Sequence, residues 1–317
     1  MNVALIPHPL APFPVPTVPG WALPRGSVTD SAEAAFLAGA ALNSLDNLVR
    51  SNPPWAGAWR QRLALTGAAA AMSVVGRAED EAGLRDAWHL RPPGDDPGPA
   101  GRVLAAWRRL AERSPSVDVE TLRLVTGQLG IRWSEALATL SDRVDVLTRA
   151  GTPAPFAAAA ILRAVDTAAP DGELLGWWLA DQVLALRLRW PLPVPLLMAE
   201  AQGAAFRRAG RGGRLRPAQE GFDTALCLAV AQGAARALRC AAEIAPRAAR
   251  LQAVMPKLRA KGAGEAIALL LDDDAVPGTL TTPTLSRWGA RRLFERLEAL
   301  GGARELTGRS SFKLYGL

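Results

Sequence analysis

The sequence predicts a mainly α-helical protein, in which a multi-helix domain precedes a small C-terminal domain that contains a β-hairpin. Apolar residues recur at helical spacing from Ser27 almost to the end of the 317 residues. Clear alternating strands are absent before residue 264, and residues 264–317 then change to helix, turn, long helix and two short alternating segments. Apolar residues make up 49% and charged residues 21% of the chain, a balance typical of a folded protein with a core.

Residues 1–26 are predicted to form an extended N-terminal arm, because prolines recur there at short intervals. They are Pro7, Pro9, Pro12, Pro14, Pro16, Pro19 and Pro24. Each proline restricts φ and lacks an N–H donor, which favours a polyproline conformation over helix or sheet. We expect the arm to pack on a domain surface; the alternative is a ligand for a proline-recognising partner domain.

Residues 27–263 are predicted to form one all-helical domain. A first helix follows the cap residues Asp30 and Ser31 and ends at Asn52-Pro53-Pro54. A second is predicted from Trp55 to about residue 77 and a third over 79–90, before a loop at 91–101 with four prolines and three glycines. Further helices are predicted over residues 102–113, 118–128, 132–149, 154–168, 173–190, 194–208, 218–240 and 246–260.

Residues 264–317 have the element order of a winged helix-turn-helix domain. A short helix is predicted over 265–273, and Val276-Pro277-Gly278-Thr279 interrupts the helical pattern. A long helix then starts near Pro283, where a proline in the first turn loses no hydrogen bond, and ends at Gly301. The segments 304–307 and 312–315 alternate around Gly308 and predict a hairpin.

The long helix and the hairpin supply the candidate DNA-binding residues. At about 100° per residue, Ala290, Leu293, Leu297 and Leu300 share one face of the helix. The opposite face carries Thr284, Arg287, Trp288, Arg291, Glu295 and, at its edge, Arg292. Arginine suits the paired acceptors of guanine in a major groove. On the hairpin, Arg309, Ser310, Ser311 and Lys313 are expected to contact phosphates. The alternatives are a protein-binding winged helix or a solvated face with an Arg291–Glu295 pair.

The net charge of +7 is concentrated in one part of the chain. Residues 201–263 carry 12 basic and 3 acidic groups, whereas residues 264–317 carry 7 of each. Such asymmetry favours a polyanionic partner, although an arginine-rich composition also arises from genome bias. The arginines at 207–216 form a basic loop without the order of a nucleotide-binding loop, so a solvated linker is the preferred interpretation there.

The remaining composition excludes several classes of protein. Two cysteines cannot form a disulfide framework, and two histidines cannot form a histidine-rich metal site. We expect Cys227 and Cys240 to be small buried hydrophobic residues. The N-terminus lacks the pattern of a signal peptide, and the longest uncharged stretches are too short to span a membrane. A cytoplasmic protein without a membrane partner, metal or cofactor is predicted.

Three segments carry a resemblance to a known family: PFPVPTVPGWALPRG, MPKLRAKGAGEAIALLLDDDAVPG and RELTGRSSFKLYGL. They resemble a bacterial domain-of-unknown-function family, numbered 1403, which is often plasmid-borne. This resemblance covers nearly the full length of the chain. It implies no mechanism, because the family has no assigned activity.

A more distant resemblance concerns residues 164–197. This stretch is similar to the part of Fic-type nucleotidyl transferases that carries the motif HPFxxGNGR, in which histidine is the base and the glycines and arginine hold phosphates. Thr167 or a neighbour stands where the histidine belongs, and Glu173, Leu174 and Leu175 replace Asn-Gly-Arg. Val75 stands in place of the inhibitory glutamate. The resemblance therefore implies a degenerate Fic-like domain without catalytic residues.

These observations predict a non-enzymatic DNA-binding protein, a transcriptional or plasmid-maintenance regulator. A homodimer is expected, because helix-turn-helix proteins usually read paired half-sites. The alternatives are a helical protein-interaction module and, less favoured, a divergent nucleotidyl transferase. The sequence leaves the DNA target and any small-molecule ligand open.

Overall fold

The computed structural model describes residues 13–91, 94–207, 213–258, 260 and 262–317. Within these residues it contains eleven α-helices and three short strands, which confirms the prediction of a mainly helical protein. The helices are α1 (Ser31–Ser51), α2 (Ala56–Val74), α3 (Glu81–His89), α4 (Gly98–Glu112), α5 (Val119–Leu129), α6 (Glu135–Arg149), α7 (Ala154–Ala168), α8 (Glu173–Leu188), α9 (Phe222–Val254), α10 (Ala263–Asp272) and α11 (Arg287–Ala299). The strands are β1 (Val276–Pro277), β2 (Arg304–Glu305) and β3 (Leu314–Gly316).

The chain divides into two compact units. The helical unit comprises residues 16–51 and 63–238, and the C-terminal unit comprises residues 52–62 and 239–317 together with the described residues 13–15. Helices α2 and α9 therefore each contribute residues to both units. The domain boundaries expected from the sequence, 1–26, 27–263 and 264–317, stay predictions. Residues 1–12 of the predicted N-terminal arm lie outside the described residues.

Helix α8 lies at the centre of the helical unit. Every residue from Leu174 to Ala185 is buried, as expected for a helix whose whole circumference is largely apolar. Helix α7 packs along it, and the indole Nε1 of Trp178 donates a hydrogen bond to the carbonyl oxygen of Ala106 on α4 at 2.9 Å. That bond satisfies the one polar atom of a fully buried tryptophan.

Three predicted helices of residues 194–260 differ from the structure. The α-helix expected over residues 194–208 does not form in the described part, 194–207; single 3-10 turns at Met198–Glu200 and Ala204–Phe206 take its place. Gly203, a residue type of low helix propensity, has an extended backbone (ψ 171°) and separates the two turns. Before them, the carboxylate of Asp181 accepts the backbone N–H groups of Leu196 and Leu197. The helices expected over 218–240 and 246–260 are one helix, α9, with Pro246 inside it. Buried residues on both sides of the proline keep the helix continuous.

Among the described residues, one helix is long and apolar enough to cross a membrane. It spans Phe222–Lys257 when the 3-10 turn after α9 is included. Of the most apolar 18-residue stretch of this helix, 72% is buried within the protein, as is usual for a core helix. The expectations of no membrane partner and of a cytoplasmic location stay predictions.

The C-terminal unit contains a small antiparallel sheet with the strand order β1-β3-β2. Strands β2 and β3 are the predicted hairpin, with Glu305 opposite Tyr315. Strand β1 was not predicted, because its Val276-Pro277 pair has the sequence of a helix break. It pairs with β3 at the edge of the sheet, where a proline without an N–H is tolerated.

Candidate nucleic-acid interface

Helix α11 is held by its apolar face and by its first turn. Ser286 caps the helix, since its hydroxyl accepts the backbone N–H of Gly289 at 3.2 Å. Ala290, Leu293 and Leu297 are buried as predicted, together with Phe294. Leu300 lies just beyond the helix and is only half-buried. The helix begins at Arg287, later than the predicted start near Pro283, because residues 279–286 form turns.

The opposite face of α11 is exposed along its length. Arg287, Arg291 and Arg292 are exposed, and Trp288 is 72% exposed. Arg291 donates from Nε to Oε1 of Glu295 at 3.0 Å. This is the pair that the solvated-face alternative requires. An exposed pair of this kind contributes little to stability, so it leaves the guanidinium able to exchange its partner.

Thr284 differs from the other residues assigned to this face. It lies in the turns before α11, and its hydroxyl donates to the Glu265 carboxylate at 2.9 Å. Hydrogen bonds from the hydroxyls of Thr282 and Thr284 lower the pKa of Glu265. The Thr284 side chain therefore already has an acceptor on α10, and its predicted contact with DNA stays untested.

The segment between β2 and β3 carries the other predicted contacts. Arg309, Ser310 and Ser311 are exposed, and Lys313 is half-buried. Beside them Phe312 is 67% exposed at a φ of 54°, a conformation that is uncommon for a residue with a side chain. The exposure of this ring was not predicted, because an alternating sequence pattern gives no reason to place Phe312 outside the core.

Glu305 holds the start of this segment in place. Its carboxylate accepts the backbone N–H groups of Thr307 and Gly308, each at 2.6 Å. Burial raises the pKa of Glu305, but these bonds, the Thr307 hydroxyl and the charge of Lys313 outweigh burial and lower it. The carboxylate is therefore the form that stabilises the turn leading to Arg309.

In the helical unit, the residues compared with the Fic motif form an internal contact. Glu173 begins α8, and its carboxylate accepts hydrogen bonds from Arg214 and from the Trp177 indole, the latter at 3.1 Å. The cavity beside them measures about 30 Å³, roughly the room that one water molecule needs. Arg214 is thus paired with a carboxylate of the protein itself.

Asp181 on α8 is a feature that sequence reasoning missed. It is fully buried, and burial raises its pKa to about 8, despite the hydrogen bonds from Leu196 and Leu197 and the charge of Arg236. The only sign of this feature in the sequence is the position of Asp181 within an otherwise apolar helical segment. Its backbone partners indicate that it shapes the segment after α8.

Two further features of the described residues concern metal ligation and the burial of thiols. The part of the chain that the structure describes contains no group of three or more histidine, cysteine or acidic residues able to hold a metal ion. Cys227 is buried, as predicted, and burial together with the charge of Asp223 raises its thiol pKa to about 12. Cys240 is half-buried.

The structure is thus that of a mainly helical protein with a small C-terminal sheet. The exposed face of α11, which carries Arg287, Arg291 and Arg292, is basic. The chain belongs to the family described as protein of unknown function (DUF1403), whose sequence model matches residues 11–317. No curated protein matches it. The predicted membership of this family is therefore confirmed, whereas the Fic resemblance stays a prediction.

Proposed function

We propose that the protein is a non-enzymatic DNA-binding protein, acting as a transcriptional or plasmid-maintenance regulator. The observation that carries the proposal is the exposed face of α11, on which Arg287, Trp288 and Arg291 all point away from the core. Arginines of this kind recognise guanine through two parallel hydrogen bonds.

The arrangement around α11 supports a winged helix-turn-helix. The chain order is α10, β1, α11, β2 and β3, and the two strands that follow α11 form an antiparallel hairpin. The segment between the two strands, which contains Arg309, Ser310 and Ser311, corresponds to the wing and contacts backbone phosphates in this proposal. Residues 278–286 connect β1 to α11 through turns and an isolated β-bridge between Thr282 and Leu285, so in this proposal α10 takes the place of the first helix of the motif.

Salt dependence of binding tests the proposal. The full chain is titrated from about 50 to 200 mM salt with labelled DNA fragments from around its own gene, since displaced counterions make binding to phosphates weaken steeply with salt. We expect one fragment to be preferred over unrelated duplex. In the double variant Arg287→Ala/Arg291→Ala that preference falls at least about tenfold, because each paired contact to a base contributes about 1–3 kcal/mol.

A matched double variant controls for the removed charge. Arg132→Ala/Arg149→Ala removes two exposed arginines of the helical unit and is expected to keep the preference. An unchanged preference in Arg287→Ala/Arg291→Ala would assign recognition to another surface. No binding by the full chain at any salt concentration would overturn the proposal.

A protein-interaction module is the second candidate, and the 72% exposure of Trp288 favours it, since exposed tryptophans are enriched at protein interfaces. In that case the full chain binds no DNA fragment, a stable complex is recovered from nuclease-treated lysate, and Trp288→Ala abolishes it. A divergent nucleotidyl transferase remains the less favoured alternative; calorimetric titration with ATP tests it.

A further inference from the structure

A groove of about 460 Å³ lies along one flank of α11, within the C-terminal unit. Two segments form it: α11 itself and the stretch that follows α9. Its lining residues are Lys257, Leu258, Ala260, Gly289, Arg292, Leu293 and Arg296. Three of these side chains are cationic, and the others are small or apolar.

All three cations line this groove, and no acidic residue lines it among the described residues. Lys257, Arg292 and Arg296 are all exposed, and among the described residues none of their side chains has a hydrogen-bond or ion-pair partner. Arg292 and Arg296 are four residues apart on one helix, a spacing at which like charges repel each other.

Helix electrostatics account for only part of this cluster. A cation in the last turn of a helix interacts favourably with its C-terminal dipole, which explains Arg296. It does not explain why Lys257, from a different segment, lines the same groove. A bound anion removes the repulsion among all three.

The groove is continuous with the exposed face of α11. Trp288, Arg292 and Arg296 follow one another at intervals of four residues, so they form one row along the helix. An anion in the groove therefore lies beside any ligand that contacts Trp288 and Arg291.

We infer that this groove binds a backbone phosphate of duplex DNA and so sets the orientation of α11 on the duplex. The inference rests on the proposed function. A phosphate contact positions a protein on DNA without reading its sequence. Lys257 and Arg296 are the residues specific to the groove, whereas Arg292 is shared with the exposed face.

The test is the salt slope of binding in Lys257→Ala/Arg296→Ala. We expect the slope of log K against log salt to decrease by about 0.9 for each phosphate that the variant no longer neutralises. Affinity for the preferred and for the unrelated duplex falls by the same factor, so their ratio is unchanged. The charge-conserving variant Lys257→Arg/Arg296→Lys restores the slope, and Arg132→Ala/Arg149→Ala leaves it unchanged.

The outcomes separate this inference from the proposed function. Suppose that Lys257→Ala/Arg296→Ala keeps the salt slope of the unmodified chain while Arg287→Ala/Arg291→Ala still loses its preference for one fragment. That result overturns the phosphate contact in the groove and leaves the proposed function standing. A changed ratio between the two duplexes also overturns that contact, because a phosphate contact carries no sequence preference. Absence of DNA binding by the unmodified chain overturns both. Should the alanine variant unfold, Lys257→Gln/Arg296→Gln provides the same measurement.

Discussion

The rings of Phe294 on α11 and Tyr315 on β3 stack with their centroids 4.8 Å apart and their planes 11° apart. Both residues are almost fully buried, so this contact joins the helix to the central strand of the sheet. It determines which face of α11 is covered. The arginines and Trp288 are exposed because the opposite side of the helix is committed to this stack.

Replacing the buried ring is expected to destabilise the C-terminal unit. Phe294→Ala removes a fully buried aromatic side chain and leaves a cavity, a change that costs about 3–5 kcal/mol. Phe312→Ala is the matched control, since that ring is 67% exposed, and we expect a change within about 0.5 kcal/mol. Chemical denaturation of both variants measures the difference. Equal destabilisation would mean that the stack does not support the unit.

The ion pair between Arg62 and Asp274 is a second contact within the C-terminal unit. Its side chains are only 12% and 4% exposed, and Arg62 also donates to the carbonyl oxygen of Leu317 at 3.2 Å. Arg62→Met leaves a buried carboxylate without its guanidinium, which we expect to cost about 3–5 kcal/mol of unfolding free energy. The double variant Arg62→Met/Asp274→Leu is expected to recover most of that stability. A double variant as unstable as the single one would contradict this account.

Asp181 makes the stability of the helical unit depend on pH. Its pKa is raised to about 8 in the folded protein, from an ordinary value near 4 in the unfolded chain. The folded state therefore holds the proton more tightly, and the contribution of this group is lost as pH rises from about 4 through 8. We expect the unfolding free energy of the wild type, relative to Asp181→Asn, to fall between about pH 5 and 8. A constant difference across that range would rule out a raised pKa.

Two glycines of the helical unit are expected to respond in opposite ways to the same substitution. A methyl group at Gly67 on α2 would lie 2.7 Å from the indole of Trp107, so Gly67→Ala forces the buried ring to move at a cost of about 1–3 kcal/mol. Gly39 on α1 has open space in the same position, and Gly39→Ala is expected to stabilise by about 0.5–1 kcal/mol. Thermal unfolding measures both. If Gly39→Ala also destabilised the protein, helix propensity would not determine the effect of that substitution on stability.

Local sequence patterns were sufficient for helices α1 through α8 and for the hairpin. The predicted and observed bounds agree within a few residues for α1 through α8, because their caps, breaks and apolar periodicity lie within each segment. Family membership was predicted from three short segments and is confirmed over residues 11–317. The buried face of α11 was also predicted, except that Phe294 joins it and Leu300 lies at its margin.

The sequence by itself determined the helical class, the position of the basic residues on α11 and the hairpin that follows it. Only the tertiary structure decided the features that depend on distant partners. β1 exists because β3, far along the chain, supplies its hydrogen bonds, and the N–H groups of Leu196 and Leu197 find their acceptor in Asp181 on α8, a partner that no local pattern indicates. Likewise Lys257 and Arg296 line one groove only because the two segments pack together. The reason is physical: periodicity and caps act over a few residues, whereas pairing, burial and charge convergence are set by residues that only folding brings together.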